Sequence, residues 1–139
     1  MVLEANKAVV RMYDEAWNTP DKARRAALFD EVLAPGFWDE MPEGRRTREQ
    51  LIAEASALHA AADDVGSTIA LLIAEGEWVA CWETVRYTDR TTGRRVEVSN
   101  PFFARIVGGQ MVEGFGCYDR LSVQEQTGTP LAAWVADTT

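Results

Sequence analysis

A chain of 139 residues that is 47% hydrophobic and 26% charged has the make-up of one ordinary globular domain. Its 14 lysines and arginines against 22 acids leave a net charge of −8, which repels phosphate backbones and anionic membranes and argues against nucleic acid or a lipid surface as partner. No apolar run reaches the roughly 18 residues that a membrane span needs, and Met1 to Lys7 has no basic region followed by an apolar stretch and a cleavage site, so the expected location is the cytoplasm.

Cys81 and Cys117 are the only cysteines and His59 is the only histidine, too few for a disulfide framework or an ordinary zinc site. No Gly-x-Gly-x-x-Gly and no Walker A pattern is present. The expectation is therefore no metal and no cofactor. Basic residues gather at Arg45 to Arg48 and at Arg90 to Arg95. Both clusters read as solvated loop faces, with an anion site as the alternative.

Along the chain, helices come first. In residues 4–18 Ala8-Val9, Met12-Tyr13 and Ala16-Trp17 recur at three- and four-residue spacing and form one apolar stripe. Thr19-Pro20-Asp21 ends that helix, and Asp21 can cap a second over about 22–33, broken by Ala34-Pro35-Gly36. Phe37 to Met41 is a short strand candidate. Thr47 and Gln50 have the spacing of a capping box, which starts a third helix running to about Ala61.

After Asp63-Asp64 the period changes to two, and residues 65–74, 77–89, 94–107 and 110–121 read as four strands. Glu75-Gly76, Thr92-Gly93 and Gly108-Gly109 stand where tight turns are needed, so the strands form an antiparallel meander. Helices segregated from such a sheet mean an α+β domain. There is no repeat or linker, and the whole of 1–139 reads as one domain, with a core of about 5–126 and a C-terminal tail of 127–139. Pro130 to Val135 in that tail is apolar enough to pack back on the domain or on a neighbouring chain.

The strand 77–89 has two apolar faces. Trp78, Ala80, Trp82, Thr84 and Arg86 lie on one, and Val79, Cys81, Glu83, Val85 and Tyr87 on the other. A sheet covered on both sides accounts for this, with a pocket inside and a second subunit outside, so a homodimer through the outer face is expected. Trp78 and Trp82 lining a monomer core is the alternative. In 94–107 the set Val96, Val98, Asn100, Phe102, Ala104 and Ile106 looks interior. Pro101 marks an edge or a bulge. Gly114, Gly116 and Tyr118 share a face, where glycines leave room for a bend or a ligand.

Asn6 to Val10, Tyr13 to Asn18, Leu33 to Asp39, the hairpin Ala74 to Ala80, the hairpin Arg105 to Glu113, and Asp119-Arg120-Leu121 together resemble the SnoaL-like polyketide cyclases over roughly residues 5–126. The resemblance implies an NTF2-like cone, a curved antiparallel sheet wrapped around N-terminal helices with an internal pocket. That fold hosts cyclases, isomerases, dehydratases, epoxide hydrolases and binding proteins. The cyclase acid/base aspartate, three residues before a second aspartate, falls at Gly116, with Asp119 as the second. Limonene-epoxide-hydrolase relatives use the same position for an aspartate. Two family histidines fall at Phe102 and Gly114. Tyr13 matches the oxyanion-binding tyrosine of ketosteroid isomerases, whose second donor falls at Phe102. Asp39 matches a pocket-lining polar position, and the isomerase base aligns nearer Met41.

The residues themselves nominate a candidate set. Glu83, among Cys81, Val85 and Tyr87 on a buried face, has a raised pKa through desolvation unless an arginine pairs with it or a bulge turns it out. Such a carboxyl suits acid/base work near neutrality. Asp39 is an in-pocket base or a solvated strand end. Tyr13 offers its phenol to a ligand oxygen or packs in the core. Catalysis is thus assigned to Asp39, Glu83 and Tyr13, and substrate contact to Trp17, Met41, His59, Asn100, Phe102, Gly116 and Tyr118. His59 is otherwise a surface or satisfied core histidine, and Asp119 is structural or at the pocket rim.

Three functions compete. One is a cofactor-independent acid/base enzyme of secondary metabolism, a polyketide cyclase or isomerase acting on a hydrophobic carbonyl compound. Another is an epoxide hydrolase or epoxide-opening cyclase, in which two carboxylates divide the roles. The third is a non-catalytic protein that keeps the pocket and binds a small hydrophobic ligand.

Overall fold

A computed structural model describes residues 2–128. The chain order is α1 (Val2–Asn18), α2 (Lys22–Val32), β1 (Leu33–Met41), β2 (Gly44–Thr47), α3 (Arg48–Ala61), β3 (Ala62–Glu75), β4 (Trp78–Asp89), β5 (Arg95–Val107), β6 (Gln110–Gly116) and α4 (Arg120–Thr127). The expected α+β architecture is observed. The expectation for Pro130 to Val135 lies outside the described residues.

Capping residues set the helix starts. Asp21 accepts from the Arg24 backbone N–H at 2.9 Å and begins α2. Thr47 and Gln50 form the reciprocal capping box of α3, at 3.2 and 2.8 Å. The stripe of α1 buries Asn6, Val10, Tyr13 and Ala16. Against it pack Phe29 and Val32 of α2, Leu51 and Ala55 of α3, and Val79, Cys81, Ala104, Ile106 and Met111 of the sheet, in one continuous core.

The sheet is curved and unclosed, with strand order β2-β1-β6-β5-β4-β3. Strands β3 to β6 form the expected antiparallel meander. Gly76, Gly108 and Gly109 adopt positive φ in its turns, a region open to glycine at little steric cost. β1 adds to β6 in parallel, and its pairing is irregular between Leu33 and Trp38, where Pro35 and Gly36 interrupt the ladder. The strand therefore begins four residues before Phe37, directly after α2.

Two elements differ from the sequence expectation. The cluster Arg45 to Arg48 is not simply a solvated loop, because Gly44–Thr47 forms β2 and pairs antiparallel with β1, setting Arg46 opposite Asp39. The fourth meander strand does not run to residue 121. It stops at Gly116, and Asp119 caps α4 by accepting from the Ser122 N–H at 3.0 Å. Pro101 lies on an interior strand, not an edge strand. Its carbonyl accepts from the Cys117 N–H at 3.2 Å, just past the last β5–β6 pair, so its missing N–H falls where that ladder ends.

Thr47→Ala removes one half of the capping box and is expected to lower stability by about 1 kcal/mol, with an unchanged denaturant slope, in urea unfolding.

Candidate functional site

The interior alternation of β4 points Val79, Cys81, Glu83, Val85 and Tyr87 at the helices. The first two join the core, whereas Glu83 and Val85 face a cavity of about 330 Å³. Its walls are Tyr13, Asp14, Trp17 and Asn18 of α1, Met41 of β1, Arg46 of β2, Glu54 and Leu58 of α3, Val65 of β3, Glu83 and Val85 of β4, and Asn100 of β5. Tyr118 and α4 residues Arg120, Val123 and Gln124 complete it. A larger and more open groove of about 660 Å³ runs past Trp82, Pro101 and Cys117. No carboxyl as buried as Glu83 lines it, so the smaller cavity is the candidate site.

Glu83 is 5% exposed. Burial, the facing carboxyl of Asp14 and the Asp14 charge push its pKa up to about 9, and the amide of Asn100, which donates to Oε1 at 2.8 Å, opposes them only in part. Neither an arginine nor a bulge diverts it: no described cation pairs with Glu83, and it stays in register with Asn100 and Ile69. Oε2 has no donor from the described residues.

The other buried acid is in the opposite situation. Asp39 receives both forks of Arg46, Nε to Oδ1 at 3.0 Å and a terminal nitrogen to Oδ2 at 2.6 Å. Arg46 also donates to Glu54 at 2.5 Å, and its guanidinium carbon stands 5.9 Å from the Trp17 ring centroid. Asp39 is thus neither a solvated strand end nor part of the cavity lining. Its partner Arg46 is the group that reaches the cavity.

Tyr13 lies at the inner end, edge-on to Trp17, Phe29 and Phe102 with ring centroids 6.5, 6.2 and 5.7 Å away. Burial raises its phenol well above the ordinary range, opposed by the nearby Arg46 charge, so it remains a donor. Tyr118 is likewise raised by burial, with Tyr87 beside it.

Of the residues singled out from sequence, Tyr13, Trp17, Met41, Glu83, Asn100 and Tyr118 line the cavity. Four do not. His59 spends Nε2 on the Trp17 carbonyl at 2.7 Å, a satisfied structural histidine whose contact ties α3 to α1. Phe102 stands behind Tyr13. Gly116 is covered by Met41, since a Cβ there would meet its sulfur at 3.1 Å, and a Cβ on Gly114 would meet the Phe103 carbonyl at 3.0 Å. Asp39 is withheld by Arg46.

Sequence reasoning passed over Asp14, Arg46, Glu54 and Gln124. Asp14 follows Tyr13 on the helix, and Arg46 was hidden in a basic run. Gln124 belongs to the helix that had been read as strand and tail. It is 6% exposed, and neither its amide nitrogen nor its amide oxygen has a partner among the described residues, although the side chain lines the cavity.

The outer face of the sheet is apolar. Leu71, Ile73, Trp82, Phe103 and Phe115 are 42 to 61% exposed, and Phe115 packs between Trp38 and Trp78 at 6.1 and 6.0 Å.

A sheet curved round a helix-capped cavity is the architecture of NTF2-like and ketosteroid isomerase-like proteins. The family model for SnoaL-like polyketide cyclases matches residues 7–127, and the chain belongs to that family. Among solved structures it is similar to IdmH of Streptomyces antibioticus, a candidate polyketide cyclase, at 21% identity over 89% of this chain and 99% of that one, with a TM-score of 0.78. TsrD of Streptomyces laurentii matches at 19% identity over 91% and 97%, with a TM-score of 0.79. AclR of Streptomyces galilaeus, a candidate hydroxylase, matches at 18% over 92% and 98%, also with 0.79. No curated protein matches the chain in sequence. At these identities the structures establish the fold.

Glu83 makes stability depend on pH. Its folded pKa of about 9 exceeds the ordinary 4.5, so between those values the folded chain holds a proton that the unfolded chain has lost. The Glu83 contribution is complete below the lower value and declines as pH rises through the upper one. Thermal melts from acid to alkaline pH are expected to show this decline in the wild type and a flatter profile in Glu83→Gln.

Proposed function

We propose that this protein is a cofactor-independent acid/base enzyme of secondary metabolism that acts on a hydrophobic, carbonyl-containing small molecule, in the manner of a polyketide cyclase or isomerase. The observation that carries the reading is Glu83, a buried carboxyl on the wall of the cavity with no cation paired to it among the described residues. A group so placed holds its proton at neutral pH and can release it to a substrate oxygen, where an exposed carboxyl is already ionised.

In this reading Glu83 delivers its proton to the carbonyl oxygen, the proton of the alpha C–H bond passes to a carboxylate oxygen of Asp14 on the same cavity, and the electron pair of that bond forms the enol double bond. Tyr13 donates to the same oxygen from the inner end, with the Arg46 charge behind it. Fixed donors aimed at developing negative charge are commonly the largest single term in such reactions. Asn100 orients Glu83 through Oε1, and Asp39 acts at one remove by fixing the guanidinium of Arg46. Gln124 offers one donor and one acceptor for polar groups elsewhere on the ligand, and Trp17, Leu58, Val65 and Val85 cover its apolar body.

The test is exchange of the alpha proton for deuterium in heavy water, followed by NMR on a panel of cyclic ketones and 1,3-dicarbonyl compounds sized to the cavity. Glu83→Gln is expected to slow exchange by about 10²- to 10⁴-fold. Tyr13→Phe is expected to slow it by about 10²-fold or more. Compounds that bind and return unexchanged from the wild type would instead mark a binding protein. That second reading draws support from the tight packing at Gly114 and Gly116, where a Cβ would come within 3.0 Å of the Phe103 carbonyl and 3.1 Å of the Met41 sulfur, at positions where the family resemblance puts catalytic groups.

The outer sheet face belongs to the same proposal, as the contact surface of a homodimer. An apolar patch spread over four neighbouring strands is larger than monomers commonly expose, and a two-fold axis through it lets one surface satisfy itself. Sedimentation equilibrium is expected to give a dimer for the wild type and a monomer for Phe103→Glu, with the circular dichroism spectrum unchanged.

A further inference from the structure

The geometry points to Gln124 as the residue that sets what the cavity accepts: it selects an uncharged ligand carrying a hydrogen-bond donor beside an acceptor in one plane, as a lactam does. This rests on the reading of the cavity as the ligand site and adds to it the chemical class of the ligand.

Helix α4 is fixed from several sides. Asp119 caps its first turn, and the Gly128 N–H closes its last by donating to the Gln124 carbonyl at 2.8 Å. Arg120 is bonded to Glu43, in the turn between β1 and β2. Gln126 commits its whole amide to the protein. Its Oε1 accepts the Glu97 N–H at 2.8 Å, and its Nε2 donates to the Glu97 carbonyl and to Ser122 Oγ, each at 2.8 Å. Residues three and four apart share a helix face, so Arg120, Val123 and Gln124 all line the cavity, while Gln126 turns to β5.

Gln124 is the opposite case on the same helix. It is 6% exposed, and neither Nε2 nor Oε1 has a partner. A buried amide without hydrogen bonds is destabilising, and such groups are nearly always paired. Among the described residues, four buried side-chain polar atoms lack a partner. Three of them, both ends of the Gln124 amide and Glu83 Oε2, belong to residues that line this one cavity. The fourth, Arg48 Nε, belongs to a residue that does not. Their gathering at one cavity, from a helix and a strand far apart in the chain, marks them as groups that meet a ligand and not as scattered faults of packing.

The chemistry of the partner follows from the amide. A glutamine presents N–H donors and a carbonyl acceptor side by side. Gln126 shows the match, since Glu97 returns to it one N–H and one carbonyl. A lactam offers that same pair in one rigid group. A ketone offers the acceptor alone and leaves Oε1 without a donor. With no internal hydrogen bond to hold it, the Gln124 amide can turn over and meet the pair in either sense. An ionised carboxylate offers acceptors only. The two arginines on the cavity are also committed, Arg46 to Asp39 and Glu54, and Arg120 to Glu43. The net charge of −8 disfavours an anion further. The ligand is therefore neutral where it meets Gln124.

Two bicyclic probes of one shape test this. Dihydrocarbostyril carries a lactam N–H where beta-tetralone carries a CH2, and their dissociation constants are read by chemical-shift titration of the nitrogen-15-labelled protein. The wild type is expected to bind the lactam about 10-fold more tightly. Gln124→Met keeps the length of the side chain without its amide, and it should bring the two probes within about 2-fold of each other. If that variant does not fold, Gln124→Leu makes the same comparison. A wild type that fails to bind the lactam, or binds both probes equally, overturns the proposal. So does a lactam preference that survives loss of the amide, which is what a purely structural glutamine would leave. The enzyme reading is judged separately, by deuterium exchange into beta-tetralone. Exchange without the lactam preference removes Gln124 from the ligand site and leaves the enzyme reading standing. The preference without exchange keeps the Gln124 assignment and makes the cavity that of a binding protein.

Discussion

Arg46 holds together three parts of the molecule that the chain brings from different places. Its fork closes on Asp39 of β1, a terminal nitrogen reaches Glu54 of α3, and its plane approaches Trp17 of α1. A guanidinium keeps its charge at any relevant pH and presents donors in a rigid plane, so it can satisfy two carboxylates at once with defined geometry. At 13% side-chain exposure it is deep enough that losing its buried partner Asp39 would strand a charge. The hairpin β1–β2, the start of α3 and the mouth of the cavity are therefore positioned by one contact, and the remaining polar groups of the site are arranged around a fixed positive charge.

That contact also separates the roles of the buried acids. Asp39 and Glu83 have similar burial, 6% and 5% exposed, yet their surroundings are opposite. Asp39 has a cation on both oxygens. Glu83 has an amide on one oxygen and another acid near the second. Burial and the neighbouring acid push the Glu83 pKa up, whereas Asp39 is committed to its cation.

Packing also closes in on the glycine of β6 and on the inner tyrosine. Met41 fills the space in front of Gly116, and Phe102 supports Tyr13 from behind.

Much of the framework was legible in the chain. Caps at Asp21 and Thr47, the stripe of α1, the turn glycines and the period-two alternation are local signals, each set by neighbours within a few residues. They located the helices, the meander and the inward face that carries Glu83, Tyr13 and Asn100. The resemblance to the cyclases supplied the fold. What local pattern could not supply was pairing across distance. Arg46 in a basic run looks like any solvated arginine until β2 sets it opposite Asp39. Asp14 is one more helix acid until Ser67, fifty-three residues later, turns a hydroxyl toward it. The apolar period around Gln124 is weak, so α4 does not stand out in the chain, and the cap that Asp119 gives it shows only in the structure. Periodicity records which side of an element is buried, but the partner of a buried polar group comes from another element. The state of Glu83 depends on such partners, so the sequence determined where this carboxyl sits and the tertiary structure alone decided that it meets another acid and not a cation.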